Sequence, residues 1–272
     1  MDDIYEGPRT HVVAVTSLSP SPASSARQKQ CVASWVAAGC DVLAVQASAQ
    51  EIARLGPYPG TKFATIPPSS MYAPGAFIPI HRMVAAAAER RPDAAILLVN
   101  ADCELALSRQ TLADIVQRYS DGLVYLVRHE VHADGREERH GCGVDGFLFH
   151  ARFASVLPQS EVLCLGKPAH DYTTPISFMK AKVPLYSPTF RVLLHRVHSL
   201  RWSRDEHTRT CAEAERLTGL AIGDMHRTFT QATFLIQPTL AKRAPPPPHI
   251  PVPRDPLRRP RHLWDPHKRP ST

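Results

Sequence analysis

The chain has 272 residues, is 43% hydrophobic and 21% charged, and carries a formal net charge of +7. This length suits one sizeable α/β domain with extensions, and the composition is that of an ordinary globular protein. No run approaches the ~18 consecutive apolar residues that span a bilayer. The acidic start, residues 1–6, lacks the apolar core of a signal peptide. We therefore expect a cytoplasmic protein, with peripheral contact at the inner membrane left open.

Cysteine spacing and charge distribution narrow the expected partners. The six cysteines show no CxxC spacing, which favours buried small hydrophobes in a reducing compartment over a zinc site. Much of the positive charge lies in residues 242–272, a proline-rich tail that is expected to be extended or disordered. The folded part therefore needs no basic face. No specific nucleic acid is expected, and the basic tail could touch a membrane surface or acidic partners.

Short apolar runs alternate with helical patterns through the first half of the chain. The elements predicted there are strand 11–16, helix 23–38, strand 41–46, helix 49–55, helix 79–90, strand 96–102, helix 111–119 and strand 122–129. This alternation favours a mostly parallel sheet with right-handed crossovers and flanking helices, an α/β fold. Further on, an apolar strand after the glycines of residues 141–146, helices 172–182, 206–220 and 222–235 and short strands at 184–186 and 190–198 complete the prediction.

The strand at 96–102 carries the clearest functional signal. Its apolar residues favour burial on both faces, and it ends in Asn100 and Asp102. Ligands of open α/β sheets bind at the carboxyl ends of strands. A carboxylate plus an amide oxygen can hold a divalent cation that keeps phosphate ligands. The alternative is that Asp102 only stabilises a turn or caps the helix that begins near Ser108.

Four motifs occur in a fixed order along the chain. They are a strand-loop-helix start with Arg27 and Ser34-Trp35, then Val99-Asn100-Ala101-Asp102, then Gly143-Val144-Asp145-Gly146-Phe147-Leu148-Phe149, and finally Leu165-Gly166-Lys167-Pro168-Ala169-His170-Asp171 with His195 and His198 beyond it. In this order the chain resembles bacterial and plant glycosyltransferase-like proteins of the nucleotide-diphospho-sugar transferase superfamily, which have the GT-A fold. The resemblance covers residues 10–202.

Sequence pattern and composition, together with the resemblance, divide the chain into four segments. They are a flexible N-terminus (1–9), a GT-A-like nucleotide-sugar-binding domain (10–202), a helical extension (203–241) and a disordered basic tail (242–272). The resemblance also implies a hexosyltransferase-like enzyme that moves a sugar from a nucleotide-diphosphate donor to a hydroxyl on a glycan, lipid or small molecule. Mn²⁺ or Mg²⁺ is the implied cofactor, because charge on the leaving diphosphate must be neutralised.

The motifs assign candidate roles. Asp102 is the principal cation ligand, with Asn100 as its weaker partner. By analogy with closing histidines of GT-A enzymes, His195 joins them; the alternative is a structural histidine whose hydrogen bonds are satisfied within the protein. In a strand, His195 and His198 face opposite sides, so only one of them could reach the cation.

The remaining candidates concern the base and the substrates. Asp171 is the candidate general base; the alternative is an N-cap of helix 172–182. Candidates for sugar or acceptor contact are Asp145, Gly143 and His170, with a turn-forming role as the alternative for Asp145. Thr16 and Arg27 are candidates for nucleotide contact, and Arg27 could equally be a solvated helix residue.

The sequence departs from the family pattern at the motifs themselves. Asn100 replaces the first carboxylate of the DxD motif, His170 replaces the usual aromatic, and Tyr172-Thr173 replaces an Asn-Trp pair. A second hypothesis is therefore a GT-A-like protein without turnover, whose tail recruits partners. Nucleotidyl transfer is a third, disfavoured because residues 17–22 lack the glycines of a phosphate-binding loop.

Overall fold

A computed structural model describes residues 11–72, 77–197 and 202–237. The strands are β1 (Val12–Thr16), β2 (Asp41–Gln46), β3 (Thr61–Thr65), β4 (Ala95–Val99), β5 (Cys103–Leu105), β6 (Leu123–Val131), β7 (Glu137–His150), β8 (Leu185–Pro188), β9 (Leu193–Arg196) and β10 (Thr233–Ile236). The α-helices are α1 (Pro22–Ala37), α2 (Ala49–Leu55), α3 (Ile80–Arg90), α4 (Arg109–Arg118), α5 (His170–Lys180), α6 (Arg204–Thr218) and α7 (Ile222–Gln231).

The strands form one mixed sheet in the order β10-β8-β6-β7-β4-β1-β2-β3, with β5 and β9 paired to one side of this path. The pairs β1–β2, β1–β4 and β2–β3 are parallel, and β7 runs antiparallel to both β4 and β6. This confirms the predicted α/β class with a mostly parallel sheet flanked by helices. The parallel strands bring their carboxyl ends to one edge, where the candidate residues lie.

Strand β4 lies at the centre because both of its faces are apolar. Ile96 and Leu98 pack into a core with α3, α5 and α7, whereas Leu97 and Val99 pack into a second core with α1 and α4. All four side chains are fully buried. Deleting such a side chain to Ala typically costs about 2–5 kcal/mol, so the sheet holds the end of β4 rigidly.

Several predicted boundaries were wrong for identifiable reasons. Strand β4 ends at Val99, because a turn closed by the Cys103 N–H and the Asn100 carbonyl (3.1 Å) redirects the chain into β5. A strand was predicted to follow the glycines of residues 141–146. In the structure the strand β7 begins earlier and includes Gly143 and Gly146.

The helix predicted over 222–235 stops at Gln231, and β10 then pairs in parallel with β8. Residues within the proposed helical extension thus join the same sheet, and the segment boundaries themselves stay a prediction. The tail at 242–272 and His198 lie outside the described residues. Across the described part of the chain, no helix combines the length and the apolar character needed to cross a membrane.

Candidate functional site

The candidate site begins at the carboxyl ends of the parallel strands. Thr16 and Gln46 end β1 and β2, and both are buried. Within the described residues, Thr16 Oγ1 and Gln46 Nε2 have no hydrogen-bond partner. Buried polar atoms are nearly always paired, so these two atoms at one sheet edge are available to water or to a ligand. Sequence reasoning missed Gln46, although a polar residue ending an apolar strand is the same signal that identified Asn100.

Helix α1 holds the turn after β4 in place through two hydrogen bonds. The Trp35 indole Nε1 donates to the Cys103 carbonyl (3.0 Å), and the Leu105 N–H donates to Ser34 Oγ (2.9 Å). These bonds explain why a Ser-Trp pair in the first helix accompanies the motif at Asp102, since Cys103 lies 68 positions after Trp35. They hold Asp102 half-buried at the edge of the sheet. Asp102 does not cap α4, because the N-cap residue of that helix is Ser108. The helix-cap interpretation of Asp102 was therefore wrong.

Asn100 is oriented by Asp145 on the neighbouring strand. Its Nδ2 donates to Asp145 Oδ1 (2.6 Å), and its backbone N–H donates to the Asp145 carbonyl (3.2 Å). The amide oxygen Oδ1 is buried and, among the described residues, accepts no hydrogen bond. An aspartate here would face Asp145 as a like charge, so the amide allows this contact while presenting an oxygen to a cation. Asp145 lies inside the continuous strand β7, so its turn-forming interpretation was wrong.

Arg128 on β6 completes this cluster, and sequence reasoning missed it. Its Nη1 donates to Asp145 Oδ2 (2.7 Å) and its Nη2 lies 3.1 Å from Glu130 Oε1. Burial lowers the pKa of the Arg128 guanidinium, but the carboxylates of Asp145 and Glu130 outweigh this and raise the pKa overall. A Cβ at Gly143 would come within 2.7 Å of Arg128 Nε. The close approach of Arg128 therefore explains this glycine, and its contact with a sugar stays a prediction.

His195 reaches the site from β9. It lies opposite Cys103 in the β5–β9 pair, with Nε2 3.8 Å from Asp102 Oδ2. This separation is too long for a hydrogen bond, but it suits two ligand atoms on either side of a small cation. Next to it, Arg196 Nε lies 3.3 Å from Glu104 Oε1.

Arg27 lies on the side of α1 that faces this region. Burial raises the pKa of the Cys31 thiol, the charges of Glu104 and Asp102 raise it further, and Arg27 lowers it. The charges of Arg27 and Asp102 therefore both act on the same buried thiol. The contact of Arg27 with a nucleotide stays a prediction.

Asp171 approaches from α5. The helix begins at His170 after Ala169, which occupies the N-cap position with φ +70° and makes no capping hydrogen bond. The N-cap interpretation of Asp171 was therefore wrong. Burial raises the pKa of Asp171 to about 6; His170 and Arg128 act against this rise, and Asp145 adds to it. Its Oδ1 has no hydrogen-bond partner in the part of the chain that is described.

His170 is more deeply placed than a residue on an open substrate surface. Its side chain is 3% exposed, and Nδ1 lies 2.7 Å from the Lys167 carbonyl, so Nδ1 carries the proton. Nε2 has no hydrogen-bond partner in the described residues. The ring supports the start of α5, and its contact with a sugar or acceptor stays a prediction.

Comparisons with known proteins give no family assignment. No protein-family profile and no curated sequence match the chain. Among solved structures it is similar to S. aureus TarS 1-349, with a TM-score of 0.48 and 9% identity over 79% of this chain and 68% of that one. TarS 1-349 in complex with UDP-GlcNAc gives a TM-score of 0.46 and 10% identity, over 82% and 71%. Similarity at this level transfers no ligand or residue role.

Proposed function

We propose that this protein is a glycosyltransferase that binds a nucleotide-diphosphate sugar at the carboxyl edge of β1, β2 and β4. The observation that carries the proposal is the set of buried polar atoms without hydrogen-bond partners among the described residues at this edge: Thr16 Oγ1, Gln46 Nε2 and Asn100 Oδ1. A nucleotide has donors and acceptors for such atoms. The motif resemblance implies the same ligand class independently of this geometry.

The residues at the edge fit a divalent cation. Asn100 Oδ1 and an Asp102 carboxylate oxygen are the ligands that Mn²⁺ and Mg²⁺ prefer, and the imidazole of His195 favours Mn²⁺ of the two. Bound there, the cation would neutralise charge on the departing nucleoside diphosphate. Arg27 would contribute a further positive charge on the phosphate side.

Asp171 is the group best suited to accept the proton of an acceptor hydroxyl. A carboxylate with a pKa of about 6 is mostly ionised at neutral pH and is more basic than an ordinary aspartate, as general-base catalysis requires. The charge of Asp145 acts on Asp171, so the two acids lie at the same end of the sheet. Attack by the activated hydroxyl on the anomeric carbon would form the glycosidic bond, release the diphosphate and invert the anomeric centre.

Isothermal titration of the full chain with a panel of UDP- and GDP-sugars, with and without Mn²⁺, tests the donor site. We expect one donor to bind in a Mn²⁺-dependent manner, and Asp102→Ala to weaken it at least tenfold. Asp41→Ala is the matched control, because Asp41 is an exposed strand aspartate at the opposite edge, paired with Arg91. Absence of donor binding, or equal losses in the two variants, would refute the proposal.

Release of nucleoside diphosphate from the bound donor then separates an enzyme from a binding protein. We expect slow release to water in the wild type and its loss in Asp171→Asn. Donor binding without any release, across a panel of hydroxyl acceptors, would instead favour the binding protein without turnover.

A further inference from the structure

The far end of the β6–β7 hairpin carries a second polar cluster, beyond Arg128. Glu130 on β6 lies directly opposite Glu138 on β7 in the strand register. His132 follows Glu130 by two positions, directly after the end of β6. The ligand atoms of Glu130, His132 and Glu138 all lie within 4.8 Å of one another.

The backbone fixes the histidine of this cluster. The His132 N–H donates to the Arg136 carbonyl (2.9 Å), and the Gly135 N–H donates to the His132 carbonyl (3.0 Å). Gly135 has φ +83°, which a glycine adopts without strain. The turn therefore holds His132 against the two glutamates without any contribution from a ligand.

Two features of the cluster indicate a cation. Like charges directly opposite each other destabilise a strand pair, and Glu130 and Glu138 form such a pair. In addition, the His132 side chain is 22% exposed and its Nε2 makes no well-aligned hydrogen bond in the described residues, although Nε2 contacts Glu138 Oε1 at 3.2 Å. That separation is close to the edge of a tetrahedron with metal–ligand bonds of about 2.0–2.1 Å.

We propose that Glu130, His132 and Glu138 form a metal site for Zn²⁺ or a similar first-row divalent ion. One imidazole and two carboxylates match the ligand preferences of such ions. Arg128 Nη2 and His140 Nε2 approach Oε1 of Glu130, and a carboxylate has a second oxygen for the metal. Bound Zn²⁺ would replace the repulsion between the glutamates by two attractions and would tie the hairpin end together. This site is separate from the donor site and does not depend on the proposed function.

The test uses the full chain, stripped of metal with chelator and titrated with Zn²⁺ alone. Isothermal titration gives the affinity, and ¹H–¹⁵N spectra of the histidine side chains give the location, with the His132 signal assigned from His132→Gln. We expect Zn²⁺ to shift the His132 ring signals at one equivalent. Glu138→Gln should weaken this binding about tenfold or more; Glu138 is 56% exposed, so the variant should fold.

Glu137→Gln is the matched control, because Glu137 is the neighbouring residue and pairs with Arg191 on a different face of the strand. It should leave the His132 shift and the affinity unchanged, as should Asp102→Ala. Unshifted His132 signals on Zn²⁺ addition would overturn the proposal. So would equal affinity losses in the Glu138 and Glu137 variants.

Discussion

Asp145 and Asp171 are two acids at the same end of the sheet that differ in almost every other respect. Asp145 is 7% exposed, and its two carboxylate oxygens accept hydrogen bonds from Asn100 and Arg128. Asp171 lies partly exposed in the first turn of α5, with one oxygen that has no hydrogen-bond partner in the described residues. The charge of Asp145 also raises the pKa of Asp171.

The contrast shows how neighbouring acids acquire different tasks. A carboxylate with both oxygens bound holds other groups in place, as Asp145 holds Asn100 and Arg128. A carboxylate that is desolvated beside another acid binds protons more readily. We therefore assign positioning to Asp145 and proton transfer to Asp171, and the following predictions test this division.

The largest effect is expected from Asp171→Asn on turnover. Loss of a general base typically lowers the rate about 10²–10⁴-fold, whereas donor affinity should stay within about twofold. Single-turnover measurements at saturating donor check the rate, and titration checks the affinity. A variant that retains wild-type turnover would remove Asp171 from the chemistry and leave the contrast with Asp145 without a functional meaning.

Asp145→Asn should instead reduce stability. The substitution removes the main partner of the Arg128 guanidinium, whose side chain is 24% exposed and keeps Glu130, and the loss of a hydrogen bond to a charged group costs about 1.5–3 kcal/mol. Urea unfolding at pH 7 measures this loss. The double variant Arg128→Met/Asp145→Asn should recover part of it, because the unpaired charge is removed. A loss of the same size in both variants would contradict the positioning role.

The pH dependence of stability should identify Asp171. Its pKa is raised from 3.8 to about 6 in the folded state, so the folded protein binds more protons than the unfolded chain between these values. Its contribution to stability is fully present below about pH 4 and is lost as the pH rises through about 6, by up to about 3 kcal/mol. Unfolding of Asp171→Asn at pH 4 and pH 7 should lack this loss. A variant that is less stable than the wild type at pH 7 would contradict the raised pKa.

Trp35→Phe tests whether the hydrogen bond from α1 to the Cys103 carbonyl holds Asp102 in position. Of these variants, it should have the smallest effect. Removing the indole N–H leaves the buried Cys103 carbonyl without its bond from Trp35, at a cost of about 1–3 kcal/mol. Mn²⁺-dependent donor binding should weaken together with stability. Trp202→Phe is a control on a tryptophan that stacks on His207 at the start of α6. Unchanged donor binding in Trp35→Phe would show that Asp102 needs no support from α1.

Much of the fold follows from local patterns. The boundaries of β2 and α2 match the prediction residue for residue, because a polar residue or a glycine stands at each end. The strand predicted at 122–129 matches most of β6, but the start of β7 at Glu137 was missed, because residues 130–140 are mostly polar or charged and lack the apolar alternation of a half-buried strand. The strand β10 was missed because Phe234 and Leu235 extend the helical pattern of α7, and only pairing with β8 distinguishes them.

The sequence predicted only those site residues that a local sequence pattern marks. Asn100 and Asp102 end an apolar run, so the sequence marks them. Arg128 is one of many arginines, and its role depends on the register that sets β6 against Asp145 on β7. Which acid is paired and which is desolvated also depends on contacts between distant segments, which no local pattern encodes.

A crystal structure of the protein with Mn²⁺ and the donor identified by titration tests the central claim most directly. We predict Mn²⁺ bound to Asp102 and the diphosphate, the nucleotide against Thr16 and Gln46, and the sugar between Asp102 and Asp171. A donor bound elsewhere, or a sugar that Asp171 cannot reach, would contradict this account.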